Sequence, residues 1–186
     1  SPVAAALAVR PEALGAPVYD LNLRLNFPSE HPLNLSMSKD MFQDADVVLC
    51  IDVRDWEKPT TTLTSTTREL VSLTPKGCQW IDIGFGDLNI SAWAMDYQRF
   101  LYADPRILAD TLLAVPALTR LIRQQVRKDK ALAQRIARRA AATGRKHHAL
   151  RRKWARQALE DRDDSPITLP RLASEVWAQI RHEDWV

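Results

Sequence analysis

The sequence lacks the features of membrane and disulfide-stabilised proteins. No apolar run approaches the roughly 18–20 residues that a membrane-spanning helix needs. It has two cysteines, Cys50 and Cys78, both in apolar surroundings, and they are too far apart in sequence to form a compact metal-ligand motif. Two reduced cysteines packed in a core favour a reducing, cytoplasmic setting. The lack of a long apolar run predicts no membrane partner, and the cysteine spacing predicts no metal site.

Glycine is also scarce, with five residues in 186. The segment Gly84-Phe85-Gly86-Asp87 follows a predicted strand, but a dinucleotide-binding loop needs three glycines in the pattern G-x-G-x-x-G. We interpret it as a turn that leaves a sheet, with a phosphate-binding loop as the alternative. The sequence also lacks a Ser/His/Asp or Cys/His set and paired carboxylates, so we expect no catalytic residues in this chain.

Apolar runs of strand length are present. Ala45–Val53 is continuously apolar apart from Asp46 and Asp52, which predicts a central strand buried on both faces. Further strands are predicted for Ala16–Asp20, Gln79–Gly84 and Arg99–Ala103. The threonine-rich residues 60–67 predict an exposed loop or edge.

Helical segments alternate with these strands. Asp104 and Pro105 offer a cap and a first helical residue, which predicts a helix from Arg106 to about Leu113. Ala, Leu, Arg, Lys and Gln dominate residues 116–160 and predict one long helix or two consecutive ones, with Gly144 as a possible break.

The end of the sequence adds one more helix and one more strand. Ile167–Trp177 predicts an amphipathic helix after a Thr/Pro opening, and His182–Val186 predicts the start of a strand. Strands that alternate with helices are typical of the α/β class. We therefore predict a Rossmann-like parallel sheet with flanking helices, followed by a long basic helical linker.

Positive charge is concentrated in one segment. Between Arg120 and Arg156 there are 14 Lys and Arg residues and one acid, Asp129, so this segment carries +13 while the rest of the chain carries −10. A solvated linker face, or a face docked on the chain's own acidic surface, is the favoured interpretation. Nucleic acid is not the expected partner, because only Trp154 offers a stacking surface and no nucleic-acid-binding motif is present.

Two places in the sequence are candidates for contact with a ligand. Arg54 and Asp55 follow the predicted strand 45–53, and ligands of open α/β sheets bind at the carboxyl ends of strands. His31 lies in a loop between Glu30 and Pro32, where it either donates to a ligand or braces the loop. Arg54, Asp55 and His31 are therefore the possible substrate-proximal residues, and no catalytic, cofactor-binding or metal-binding residue is assigned.

Several stretches together resemble one enzyme family. They span nearly the whole chain, and they are Asn26–Asn34, Ala45–Leu49 with Arg54–Trp56, Trp80–Gly84, and Ser165–Ile167 with Arg171, Leu172, Trp177 and Glu183–Val186. Their order and spacing resemble the large subunit of thiamine diphosphate-dependent enzymes of the acetolactate synthase and benzoylformate decarboxylase type.

The resemblance implies a division of the chain into three parts. Residues 1–115 would be the central α/β domain without its first strand, residues 116–164 a basic helical linker, and residues 165–186 the start of the pyrophosphate-binding domain. The chain would then be a fragment of a carboligase or decarboxylase acting on 2-oxo acids, with a structural role and no activity alone. Its partners would be the other domains of a parent enzyme that forms homodimers or homotetramers.

The resemblance also implies the cofactors of that parent. Thiamine diphosphate and Mg²⁺ would be bound by a Glu and a Gly-Asp-Gly…Asn motif that lie in other domains, not by this chain alone. Flavin-binding relatives have a longer Gly-rich segment and an Arg-Phe-Asp-Asp turn, where this chain has Ser36–Phe42 and Arg54-Asp55-Trp56-Glu57. We therefore expect an enzyme of this type without FAD.

Two other functions fit the residues. The chain is alternatively a small α/β binding module whose basic helix binds an anionic partner such as nucleic acid. A third interpretation is a nucleotide-binding protein that uses the turn at Gly84 and Gly86.

Overall fold

The computed structural model describes residues 11–20, 26–86, 101–160 and 162–183. In chain order these residues form a 3₁₀ helix at Lys39–Phe42, β1 at Val47–Ile51, α1 at Glu57–Thr60, β2 at Thr61–Leu63, β3 at Leu70–Ser72, β4 at Gln79–Gly84, β5 at Arg106–Leu108, α2 at Thr111–Lys128, α3 at Lys130–Glu160 and α4 at Leu169–Ile180. The chain divides into two compact units, Ser1–Thr143 and Gly144–Val186, and each is described by itself.

A parallel three-stranded sheet organises the first unit. The strand order is β1-β4-β5, with Leu49 opposite Ile81 and Ile83 opposite Ile107. Together with the helices that follow, this sheet makes the protein mixed α/β, as predicted. Both apolar runs that predicted strands, in residues 45–53 and 79–84, form β1 and β4.

Within the described residues, the position of the first of these strands differs from the prediction. Among the described residues β4 is the middle strand, and β1 lies at the edge. Val47 is 44% exposed and Cys50 is the one residue of β1 that is fully buried, so β1 is not covered on both faces. An apolar run indicates that a strand forms, but its place in the sheet depends on pairing with distant residues.

The segment after β4 also differs from the prediction. Residues 106–108 form β5 instead of a helix, because the backbone pairs with β4: Asp104 N donates to Trp80 O at 2.9 Å and Asp82 N to Pro105 O at 3.1 Å. Residues 101–103 are not a strand, and residues 99 and 100 of the predicted strand lie outside the described residues. The N-cap that was expected at Asp104 is instead Asp110, which precedes α2.

The threonine-rich segment is a hairpin. β2 and β3 pair antiparallel with Thr62 opposite Val71, and Thr64 N donates to Glu69 O at 2.9 Å. Most of its side chains are exposed, so the expectation of an exposed edge is correct. The sequence did not predict that the segment would pair as two strands.

Two helices fill the basic part of the chain, and they are separated at Asp129. The Asp129 backbone N–H donates to Gln125 O, which ends α2, and its carboxylate accepts from Leu132 N at 2.9 Å, which begins α3. Gly144 is not a break, because it is buried within α3. One short acidic residue therefore serves both helix ends.

The start of the described chain packs on α3. Residues 11–14 are helical, and Arg139 Nε donates to Leu14 O at 3.1 Å. Gly15 has φ +58, and a Cβ there would overlap the carbonyl oxygen of Ile136, so the close approach requires glycine. The strand predicted for residues 16–20 is reduced to one parallel bridge between Val18 and Asn34.

The second unit contains the predicted amphipathic helix. α4 has Thr168 as its N-cap residue and Pro170 in its first turn, and Arg171 pairs with Glu175 at 2.7 Å. Of the strand predicted for residues 182–186, the last three residues lie outside the described residues. No helix in the described part of the chain is long and apolar enough to cross a membrane.

Candidate functional site

The candidate site is the edge of the parallel sheet where β1, β4 and β5 reach their carboxyl ends. Asp52 follows β1 with φ +51, a left-handed conformation that aspartate tolerates better than most residues. Its backbone N–H donates to Ile83 O at 2.9 Å, and its Oδ2 accepts from Thr111 Oγ1 at 2.5 Å. Asp52 therefore ties the end of β1 to β4 and to the first residue of α2.

Gly84 closes this arrangement from the other strand. A Cβ on Gly84 would overlap Asp52 Oδ1 and lie 3.2 Å from Asp52 Cα. The two strand ends thus approach each other more closely than a side chain on residue 84 allows. This is the physical role of the first glycine of the Gly84–Gly86 turn.

Negative charge surrounds the N-terminus of α2. Asp110 is the N-cap residue, and its Oδ1 accepts from Leu112 N at 2.8 Å. A helix N-terminus that is open binds phosphates through its free N–H groups and its positive dipole end. Here the carboxylate of Asp110 occupies the position that a phosphate would take at the helix N-terminus, and the exposed carboxylate of Asp52 accepts a hydrogen bond from Thr111. These residues do not fit the diphosphate of a nucleotide or of FAD.

The cap at Asp110 gives a first prediction. Asp110→Ala should lower the free energy of unfolding by about 1 kcal/mol, because Leu112 N loses its acceptor. Urea denaturation followed by circular dichroism measures this. Asp110→Asn is the matched control, since asparagine caps helices equally well; an equal loss in both variants would contradict a hydrogen-bonding role.

Arg54 and Asp55 lie immediately after this edge, as the sequence predicted. Asp55 Oδ1 accepts from Glu57 N at 2.9 Å, which shapes the entry into α1, and Arg54 is exposed. The backbone of α1 is short, but Trp56, Glu57, Pro59 and Thr60 are all buried. That Arg54 and Asp55 contact a substrate stays a prediction.

His31 has a structural environment of its own. Its Nδ1 accepts from Leu33 N at 3.1 Å, its Nε2 lies 3.0 Å from Glu12 Oε1, and its ring packs edge-on against Phe27. No hydrogen bond or ring contact joins His31 to Arg54 or Asp55 within the described residues. Of the two interpretations of His31, these contacts favour the one in which it braces the loop.

A buried charged cluster on the sheet was missed by the sequence analysis. Asp82 is in the middle of β4 and 6% exposed, and Arg106 Nε of β5 lies 3.5 Å from its Oδ2. The guanidinium also lies over the Trp56 ring at 5.4 Å, and Trp56 stacks on Trp80. The sequence did contain a signal for this cluster: Asp82 lies within the apolar run Trp80–Ile83. A carboxylate in a buried strand needs a charged or hydrogen-bonding partner.

Cys50 is next to this cluster in the sheet register, opposite Asp82. Burial raises the pKa of the Cys50 thiol far above its usual range, and the Asp82 carboxylate adds to the shift while Arg106 partly offsets it. Burial also raises the pKa of Cys78, which is only partly exposed. Neither thiol has the lowered pKa of a nucleophile.

The thiols give a second prediction. At pH 8 iodoacetamide should label Cys78 of the native protein well before Cys50, which reacts only after unfolding. Peptide mass spectrometry measures this, and equal labelling of both would contradict it. Because Cys50 ionises only in the unfolded chain, its contribution to stability is complete below an unfolded pKa of about 8.5 and is lost as the pH rises above it.

Comparison with known proteins adds no assignment. No protein-family model, no curated protein and no solved structure matches this chain. Within the residues that the structure describes, no group of three or more His, Cys, Asp or Glu side chains is placed to hold a metal ion. The function therefore has to be argued from the residues and their geometry.

Proposed function

We propose that this chain is part of a thiamine diphosphate-dependent carboligase or decarboxylase that acts on 2-oxo acids. In this proposal residues 1–115 belong to a Rossmann-like central domain, residues 116–164 to the basic linker and residues 165–186 to the start of the pyrophosphate-binding domain. The observation that carries the proposal is the pairing of β1 with β4. Both strands belong to stretches that resemble the family, and they are parallel neighbours whose carboxyl ends lead into Arg54 and Gly84.

The cofactor chemistry of the proposal lies outside this chain. When bound in the parent enzyme, thiamine diphosphate would supply the carbanion chemistry for making or breaking the bond next to the carbonyl of a 2-oxo acid, and Mg²⁺ would accompany its diphosphate. The acidic surroundings of the α2 N-terminus, with Asp110 and Asp52, disfavour a flavin diphosphate at the carboxyl ends of the strands. This supports an enzyme without FAD, in which the chain described here supplies structure.

The gene on both sides of this chain provides the decisive test. The proposal expects a pyrimidine-binding domain with a Glu upstream and a Gly-Asp-Gly motif followed by Asn soon after Val186. A start codon directly before Ser1 and a stop codon directly after Val186 would overturn it.

The activity of the protein that the gene encodes is the second test. Consumption of pyruvate or benzoylformate should require both thiamine diphosphate and Mg²⁺ and should be unchanged when FAD is added. The chain of 186 residues alone should show no turnover. An encoded protein that has both motifs but consumes neither 2-oxo acid would contradict the substrate class, and stimulation by FAD would contradict the flavin-free form.

A further inference from the structure

The second half of α3 carries a regular ridge of positive charge. An α-helix turns by about 100° per residue, and on this spacing five of the six cations between residues 145 and 156 fall on one arc of about 120°. We call them the basic ridge: Arg145, Lys146, Arg152, Lys153 and Arg156. All five are exposed, whereas His147 on the opposite side of the helix is buried. They lie within one compact unit, Gly144–Val186.

Within the unit Gly144–Val186, the described acidic residues do not neutralise this ridge. Arg145, Lys146, Arg152 and Lys153 make no hydrogen bond or ion pair with any described residue of that unit. Arg156 pairs with Glu160 at 3.5 Å, but both side chains are more than half exposed, and such surface pairs are weak. Four of the five cations are therefore available to an external anion.

The position of Trp154 decides which kind of anion fits. Trp154 follows Arg152 by two residues and so projects about 200° away from it, off the ridge. It is 38% exposed, and the one apolar side chain that falls among the five cations is the small methyl group of Ala149. Binding of single-stranded nucleic acid requires stacking of bases on aromatic rings, and protein interfaces require apolar anchors. The ridge provides neither.

We propose that the basic ridge binds the phosphate backbone of double-stranded nucleic acid without sequence preference. From Arg145 to Arg156 the ridge is about 16 Å long at 1.5 Å per residue. A duplex presents one phosphate per roughly 1.7 Å of axis, so the ridge faces a dense and uniform line of negative charge. No acidic residue occurs between Asp129 and Glu160 to repel it. Membrane insertion needs a broad exposed apolar face, which this side of α3 lacks.

Salt dependence of duplex binding is the test. With a fluorescent DNA duplex of random sequence, log K should fall with log salt with a slope of about −4, since each neutralised phosphate contributes about −0.9. Raising the salt from about 50 to 200 mM should then weaken binding by about 250-fold. The variant R145Q/K146Q/R152Q/K153Q should lose about 100-fold in affinity at low salt and retain a slope of about −1.

A variant with the same charge change elsewhere is the control. R120Q/R123Q/R127Q/K128Q removes four exposed cations from α2 and lowers the net charge equally. Its affinity for the duplex should be within about threefold of that of the unmodified protein. The variant R145K/R152K, which keeps the charge of the ridge, should also bind with an affinity within about threefold. Circular dichroism establishes that all variants keep their helices.

Three results would overturn the proposal. Equal losses in the two quadruple variants would show that net charge, and not the ridge, binds the duplex. Equal binding to poly-glutamate with the same slope would indicate an acidic protein as the partner. Binding to vesicles that contain phosphatidylserine, without binding to the duplex, would indicate a membrane surface.

Discussion

Replacing Arg106 by methionine should lower the free energy of unfolding by about 3 kcal/mol, the low end of the range for breaking a buried ion pair. The low end applies because the Arg106 side chain is 20% exposed while that of Asp82 is 8% exposed. Methionine keeps much of the side-chain volume, so the loss reports the charge rather than a cavity. Urea denaturation followed by circular dichroism measures the change.

The size of this effect follows from what Arg106 contacts. Its guanidinium lies 3.5 Å from Asp82 Oδ2, donates through Nη2 to Leu101 O at 2.8 Å and covers the Trp56 ring. Without it, the Asp82 carboxylate remains buried with its charge no longer balanced by Arg106. Arg106 thus joins β4, β5 and the segment before α1.

Two further variants separate this pair from a general effect of lost charge. Arg123→Met makes the same chemical change at an exposed position of α2, and it should cost less than about 0.5 kcal/mol. The double variant D82N/R106M should recover part of the stability lost in Arg106→Met, because the buried negative charge that Arg106 balanced is removed as well. A cost below about 1 kcal/mol for Arg106→Met, or no recovery in the double variant, would show that the pair is not a structural ion pair.

The strands that could be predicted from sequence are those whose signal is local. Val47–Ile51 and Gln79–Gly84 are apolar runs of the right length between polar or turn residues, and both formed strands. The helical character of residues 116–160 was equally local, because most of its residues are strong helix formers. What was predicted correctly here required no knowledge of distant partners.

The incorrect predictions concern choices that distant residues decide. Asp104 and Asp110 are both suitable helix caps, and pairing of residues 106–108 with β4 selects the second. Gly144 was a reasonable helix break by composition, but it lies buried within the continuous helix α3. Asp129 instead ends one helix and begins the next through its backbone and side chain.

The candidate site was predictable in position but not in detail. Arg54 and Asp55 follow β1, where the carboxyl-end rule for α/β sheets put them. Asp52 contacts Thr111 and Gly84, which lie 59 and 32 positions away along the chain, and both contacts depend on the strand register. The same register places Asp82 opposite Arg106, which no spacing in the sequence indicates.

Gly84→Ala is the prediction that tests this register most directly. The new Cβ would overlap Asp52 Oδ1 and lie 3.2 Å from Asp52 Cα, so either the strand ends separate or Asp52 rotates away from Thr111. Overpacking of this kind costs about 1–3 kcal/mol, and the lost hydrogen bond adds to it, so we expect a loss of about 2–3 kcal/mol in urea denaturation.

The other glycine of the same turn provides the control. Gly86 has no atom within 4 Å of an added Cβ, so Gly86→Ala should cost less than about 0.5 kcal/mol. The exchange D52G/G84A removes the overlapping carboxylate and supplies a glycine where φ is +51, and it should recover more than half of the loss. If Gly84→Ala and Gly86→Ala were equally tolerated, the ends of β1 and β4 would not be in the close contact that defines the candidate site.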